Sequence, residues 1–543
     1  MNPTSATKKS EATPDPHARA GAPVASAGLV AFVGVGPGDE GLLTLRAAEL
    51  LARADLVMGR PELTGPLAHR LRDQAAVVEA ADPDADARAL IKAANAGQLV
   101  VRLFAGDPFL FCRASRQADA CARARVRVEI VPGVPAATAV PAFAGIPLTA
   151  DSGGVRVVHA DDISQVEGPA PGSLVVLGAE AGPVDLAKML MAAGWADTTP
   201  IALTWNGTTT DQHTVTGRLG SVAADLKAAG VSVLTESGPA LAVVGEAAAH
   251  EGLSWFESKP LFGWRVLVPR TKEQAASLSD RLRSYGAVPQ EVPTIAVEPP
   301  RTPQQMERAV KGLVTGRYQW IAFTSVNAVR AVREKLEEYG LDARAFAGVK
   351  VAAVGEQTAA ALAGFGIKPD LVPDGEQSSE GLAAAWPPYD DVLDPINRVL
   401  LPRADIATET LVARLTDLGW EAEDVTAYRT VRAAPPPAPV REAIKSGGFD
   451  AVMFTSSSTV RNLIGIAGKP HAVTAIAVIG PQTAQTAAEY GLRVDVTAPR
   501  PSATALADAL AEHGAKLREA AIAAGEPVRK PSERRRGARR RLR

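Results

Sequence analysis

The chain has 543 residues, and at roughly 150 residues per domain this length predicts three to four domains and excludes a single core. Apolar residues make up 46% and charged residues 22%, which excludes disorder over most of the length and a fibrous architecture. The formal charge of −2 conceals a division: Arg529 to Arg543 carry nine Arg or Lys and one Glu, a local +8, so the rest of the chain stands at −10.

Residues 1–27 are rich in Pro, Ser, Thr and Ala, with Lys8 and Lys9 but no apolar core segment, and read as a disordered leader, not a signal peptide. From Gly28, short apolar runs alternate with stretches of helical spacing: LVAFVGV, a glycine turn, LLTLRAAELLARA, then DLVM, QLVVRLF, VRVEIV, GSLVVLG, TPIALTW and PALAVVG. Strands alternating with helices of 10 to 15 residues predict an α/β protein with largely parallel sheets. Aromatics at only 5% agree with helices packed on such sheets. A break falls at 256–264, and a new strand opens at RVLVPR.

The second half contains an internal duplication. WRVLVPRTKEQAASLSDRLRSYG from Trp264 aligns with NRVLLPRADIATETLVARLTDLG from Asn397, pairing Val266 with Val399, Pro269 with Pro402, Arg270 with Arg403 and Leu282 with Leu415 at an offset of 133. IAFTSVNAVRAV then aligns with AVMFTSSSTVRNL, and VAAVGEQTAAALAGFG with IAVIGPQTAQTAAEYG. Two such units predict two similar lobes with a cleft between them. Prolines at 299–300 and 435–437 mark the crossings: lobe A is 264–298 plus 435–515, lobe B is 300–430.

In parallel sheets ligands bind beyond the carboxyl ends of the strands, where the repeated motifs fall. Thr324-Ser325 and Thr455-Ser456 end strands and precede helices; Gly355 and Gly480 allow close backbone approach, with Thr358 and Thr483 in the first turn after them. A Ser or Thr there serves foremost as an N-cap, yet six such turns with Arg270 and Arg403 suit a ligand bearing several carboxylates. Cys112 and Cys121 form neither a disulfide framework nor a metal-ligand spacing, so a reducing cytoplasm and no bound metal are expected. No apolar run approaches the ~20 residues of a membrane span.

VLVPR, FTSVNAV, VGEQTA, LLPRADIATETL, AYRT, FTSSSTV and IGPQTAQTA together resemble uroporphyrinogen-III synthase over 264–515. The resemblance implies a bilobal, flavodoxin-like fold and a cofactor-free reaction in which hydroxymethylbilane loses its hydroxyl, ring D inverts and the macrocycle closes. Its substrate bears several carboxylates, in keeping with the turns above, and its suspected proton donor falls on Tyr428. In the first half, VGVGPGDEGLLTLRAAELL, VVRLFAGDPFLF, VEIVPGVPAATAVPAFAGIPLT and NGTTTDQHTV resemble the tetrapyrrole methylases, uroporphyrinogen-III C-methyltransferase among them, over 28–256.

That resemblance implies two α/β domains holding S-adenosylmethionine through Pro37, Ala105, Gly106, Asp107, Leu110, Pro135, Ala136, Leu177 and Gly207. Backbone groups of Ala105-Gly106-Asp107 would take the methionine end. The sequence departs from the family at Ala105, at Phe111-Cys112-Arg113-Ala114, at Gly59-Arg60-Pro61, at Pro135 and Leu177, and has no lysine among Val77 to Asp86. Three readings therefore stand at this point: a synthase fused to an active methylase serving haem, sirohaem and cobalamin formation; a synthase with a non-catalytic methylase scaffold; and a ligand-binding regulator with a nucleic-acid-binding tail. Hydroxymethylbilane and uroporphyrinogen III are the expected partners, nucleic acid and membrane are not, and a homodimer through the methylase half stays open. Residues 516–543 are expected to form a disordered basic tail.

Overall fold

Runs such as Val30–Val33 are apolar on both faces and form strands buried on both sides, the pattern of a parallel sheet covered by helices. The computed structural model describes residues 28–534 apart from 113, 150–152, 167, 170, 180–181, 232–239, 251, 271 and 406–408. The expected leader and the last stretch of the tail, 535–543, lie outside the described residues. The chain divides into two units, Met1–Phe262 and Gly263–Arg543.

The first unit holds two sheets. Strands β1 (Leu29–Gly34), β2 (Leu56–Gly59), β3 (Ala76–Glu79), β4 (Leu99–Phe104) and β5 (Arg127–Val131) form one wholly parallel sheet, ordered β3-β2-β4-β1-β5. Strands β6 (Gly154–His159), β7 (Gly172–Leu177), β8 (Pro200–Trp205), β9 (His213–Arg218) and β10 (Ala240–Val244) form the other, ordered β6-β7-β10-β8-β9. Here the expectation of largely parallel pairing fails: only β6 and β7 run parallel. Residues 206–212 between β8 and β9 are fewer than the dozen or so a parallel crossover needs, so the two strands close as a hairpin.

The second unit contains β11 (Arg265–Val268), β12 (Val288–Glu291), β13 (Ile295–Glu298), β14 (Trp320–Phe323), β15 (Lys350–Ala353), β16 (Arg398–Ala404), β17 (Glu421–Arg432), β18 (Ala451–Phe454), β19 (Ala475–Val478) and β20 (Val496–Thr497). Lobe A is the parallel sheet β12-β11-β18-β19-β20, the 2-1-3-4-5 order of flavodoxin-like folds. In lobe B, ordered β13-β17-β16-β14-β15, strands β16, β17, β14 and β15 occupy the places of β11, β12, β18 and β19. The duplication holds to the residue: Val268 faces Glu291 across β11–β12, and Leu401 faces Asp424 across β16–β17.

Two boundaries shift. β13 pairs antiparallel with the distal half of β17, so the crossing into lobe B falls near Thr294 and not at the prolines 299–300. The cause is the length of β17, whose 12 residues outrun β16 and leave ladder groups that β13 satisfies. The expected disordered tail is also partly ordered: the helix Ala503–Ala523 runs through 516–523 and is tied to lobe A where Arg281 and Tyr285 both donate to Asp508, at 2.9 and 3.0 Å. Beyond it, the Ser532 N–H donates at 2.9 Å to Asp450, a buried carboxylate that also accepts from the Arg265 N–H. A buried carboxylate needs such donors, which is why the segment around Ser532 returns to the sheet. No helix among the described residues is long and apolar enough to cross a membrane.

Candidate functional sites

In the first unit the carboxyl ends of β1, β4 and β5 meet at three glycines. A Cβ on Gly133 would lie 2.0 Å from the Gly106 carbonyl oxygen, and one on Gly34 would lie 2.4 Å from the same atom. Only hydrogen at these positions lets the three loops touch. Asp107 accepts from Phe109 N–H at 2.8 Å and Gly133 N–H at 3.2 Å, stitching two of the loops together. The Asp39 N–H donates to Thr208 Oγ1 at 3.1 Å, joining the Gly36–Asp39 turn to the loop after β8.

These loops enclose a cavity of about 300 Å³. Every residue expected to hold a cofactor lines it: Pro37, Ala105, Gly106, Asp107, Leu110, Pro135, Ala136, Leu177 and Gly207. One expected role changes. The Gly106 N–H donates to Gly36 O at 2.8 Å, so that group is committed to the loop pairing. Gly207 is glycine because a Cβ would strike the Val140 side chain at 2.4 Å. Sequence reasoning missed Phe111, Cys112, Val140, Gly178, Thr204 and Leu241. Thr204 near the end of β8 follows the strand-end rule and was within its reach; Val140 and Leu241 arrive only through packing. Burial pushes the Cys112 thiol up, with Asp107 adding to the effect, so the sulfur stays protonated and donates to Ala105 O. His159 lines the cavity, whereas His213 stacks on Trp205.

In the second unit the expected residues lie at or just beyond the carboxyl ends of strands in both lobes, and a hydrogen bond joins two of them, Tyr428 and Ser325, in lobe B. In lobe B, Tyr428 on β17 is 7% exposed and its phenol meets Ser325 Oγ at 3.0 Å. Ser325 caps the helix Val326–Glu338, accepting from Ala328 N–H at 3.1 Å. Tyr428 borders an opening of about 300 Å³ that Glu298, Asn327 and Arg330 also line. In lobe A, Ser456 and Thr459 form a capping box on the helix Ser457–Ala467, just after Thr455.

The porphyrin biosynthesis protein HemD of Ruminiclostridium josui is 31% identical over 510 residues, which span 90% of this chain and 98% of that protein. The chain belongs to the HemD family. Within this HemD-family chain, residues 276–508 match the family model of uroporphyrinogen-III synthase HemD, and residues 29–223 match that of the tetrapyrrole (corrin/porphyrin) methylases. The uroporphyrinogen-III C-methyltransferase of Bacillus subtilis is 30% identical over 361 residues, 61% of this chain and 70% of that protein. A uroporphyrin-III C-methyl transferase from Thermus thermophilus, solved with S-adenyl homocysteine, is 29% identical and covers 41% of this chain and 99% of its own, with a TM-score of 0.35. By its two family-model matches and its likeness to the Ruminiclostridium josui protein, the HemD-family chain is an enzyme fusing a tetrapyrrole methylase domain to a synthase domain.

Several synthase residues stand differently from expectation. Arg403 is 5% exposed and bound to Asp424 through Nε at 2.7 Å and through Nη2, which raises its pKa further. It braces β16 against β17, and its guanidinium is not offered to a ligand. Thr358 and Thr483 are buried inside their helices, and face the core, not the strand-end surface. Gly355 is covered: the Gln377 side chain accepts from Glu356 N–H at 3.3 Å, and a Cβ on Gly355 would meet it at 2.5 Å. Gly480, its repeat partner, faces open space. The HemD-family synthase domain therefore has a covered glycine turn at Gly355 in lobe B and an open one at Gly480 in lobe A, a contrast no local signal announced because Gln377 reaches Gly355 from a loop.

Proposed function

We propose that the second unit cyclises hydroxymethylbilane to uroporphyrinogen III with inversion of ring D, and that the first unit methylates this product to precorrin-2 using S-adenosylmethionine. The observation that carries the methylase reading is the convergence of nine separately placed residues on one cavity. The fit is physical as well: a Cβ built on Gly106 meets nothing nearer than 3.6 Å, so the loop leaves room for a ligand at its backbone. When bound, S-adenosylmethionine supplies an electrophilic methyl group. Around it, Leu110, Val140, Leu177 and Leu241 exclude water from the adenine side, and the loop of Ala105 to Asp107 fixes the methionine end.

For the synthase, a linear tetrapyrrole must be folded so that its two ends meet while water is kept away. Arg270, the Gly480 turn and the Thr455-Ser456 cap hold carboxylates in lobe A, and Tyr428 gives a proton to the departing hydroxyl. Linking the two domains raises the local concentration of uroporphyrinogen III for the methylase.

Incubating the full chain with hydroxymethylbilane, with and without S-adenosylmethionine, tests both halves. Methylated product only in the tube with cofactor is expected. Unmethylated uroporphyrinogen III in both tubes refutes the methylase assignment, and no type III macrocycle in either refutes the synthase assignment.

A further inference from the structure

The duplication lets one lobe serve as the control for the other. In lobe B, Asp424 takes Arg403, which lies two residues beyond the Leu401 that faces it. In lobe A, Glu291 holds the same register opposite Val268, and Arg270 lies two residues beyond Val268. Acid and base are both retained, yet they do not pair. The Glu291 carboxylate instead accepts from Ser279 Oγ at 2.7 Å.

Ser279 is fully buried on the helix Lys272–Ser284, which packs over β12. The residue at its place in the repeat is Val412, on the helix Thr410–Asp417, which has no hydrogen to donate. A hydroxyl bonded to a carboxylate is a charge-assisted contact, roughly twice as strong as a neutral one, and it draws Glu291 toward the helix and away from the strand end. Arg270 is consequently half-buried with no carboxylate partner among the described residues, and burial alone lowers its pKa from the ordinary arginine value. A partly desolvated cation left without a counter-charge is costly in the free protein and favours an incoming anion.

We propose that Ser279 is a positioning residue: by holding Glu291 it keeps Arg270 unpaired, so that lobe A receives a carboxylate of the tetrapyrrole substrate while the same cation in lobe B is locked into the scaffold. This rests on the synthase reading above. Ser279 does not touch the substrate. It sets the charge state of the surface that does.

The test uses the full chain with hydroxymethylbilane and the variants Ser279→Val and Ser279→Ala. Either releases Glu291 to neutralise Arg270, so KM rises about tenfold, the effect of roughly 1.4 kcal/mol, while kcat stays close to that of the wild type. Adding Glu291→Gln to Ser279→Val returns KM toward the wild-type value, because a neutral side chain cannot quench the guanidinium. Unchanged KM in both serine variants, or no rescue by Glu291→Gln, overturns the proposal.

Thermal melting gives a readout independent of turnover. Arg270→Ala should lower Tm by about 3 °C more in the Ser279→Val background than in the wild type, since only there does it break a pair. Coupling in the melting cycle without any change in KM overturns the synthase reading of Arg270. Absence of coupling overturns the role given to Ser279.

Discussion

Tyr428→Phe is expected to lower kcat for cyclisation about 10²-fold, the scale of a lost general acid, with KM and Tm near the wild-type values. The phenol is held in a short relay: Ala328 N–H donates to Ser325 Oγ, and Ser325 Oγ lies 3.0 Å from the Tyr428 oxygen. When Ser325 donates to Tyr428, the phenol proton is left for the substrate's departing hydroxyl. The helix Val326–Glu338, whose first turn anchors this relay, also favours negative charge developing on the tyrosine. Deleting the phenol oxygen leaves the ring packed among its buried neighbours and leaves Ser325 bonded to Ala328, so the fold is retained. Single-turnover kinetics with hydroxymethylbilane check this; a Phe variant with wild-type kcat removes Tyr428 from the chemistry.

Gly133→Ala is expected to weaken S-adenosylmethionine binding at least about 100-fold, and calorimetry on the full chain measures it. The added methyl would sit 2.0 Å from the Gly106 carbonyl oxygen and 2.7 Å from the Gly34 carbonyl carbon. These contacts are backbone on every side, so no side chain can swing away, and the loops carrying Gly36, Gly106 and Asp107 must part. Overpacking of this kind costs about 3 kcal/mol, and that energy comes from the loop geometry that shapes the cavity. The first unit should melt earlier as a result. Cyclisation should be untouched, because Tyr428 and Arg270 belong to the other unit. An unchanged cofactor Kd would mean that the three-glycine contact does not shape the cofactor site.

The two halves differ in how far local sequence reaches. In the methylase domain the residues expected to hold the cofactor lie mostly in turns at strand ends, placed by glycines that are visible as text; hence all nine line one cavity in the structure. In the synthase domain the functional surface depends on which side chains pair with which. Arg270 and Arg403 are identical in motif and repeat position, yet the first has no carboxylate partner among the described residues and the second is locked to Asp424. The difference lies in Ser279 against Val412, residues on the covering helices that share no motif with the arginines. Gly355 and Gly480 diverge in the same way, through Gln377.

The sequence alone determined the α/β class, the duplication and the residues available at each strand end, because hydrophobic periodicity and glycine turns are local properties of the chain. The charge split of −10 and +8 belongs to the same level, although part of the expected tail is ordered by Asp450, a buried acid distant in sequence. Only the tertiary structure decided that β13 crosses to lobe B, that Arg403 is scaffold and that Glu291 bonds Ser279 and not Arg270. Each of these turns on competition for hydrogen-bond and charge partners among groups far apart in the chain. Burial makes every unpaired donor or carboxylate expensive, and the partner that satisfies it is fixed by packing, not by its neighbours in sequence.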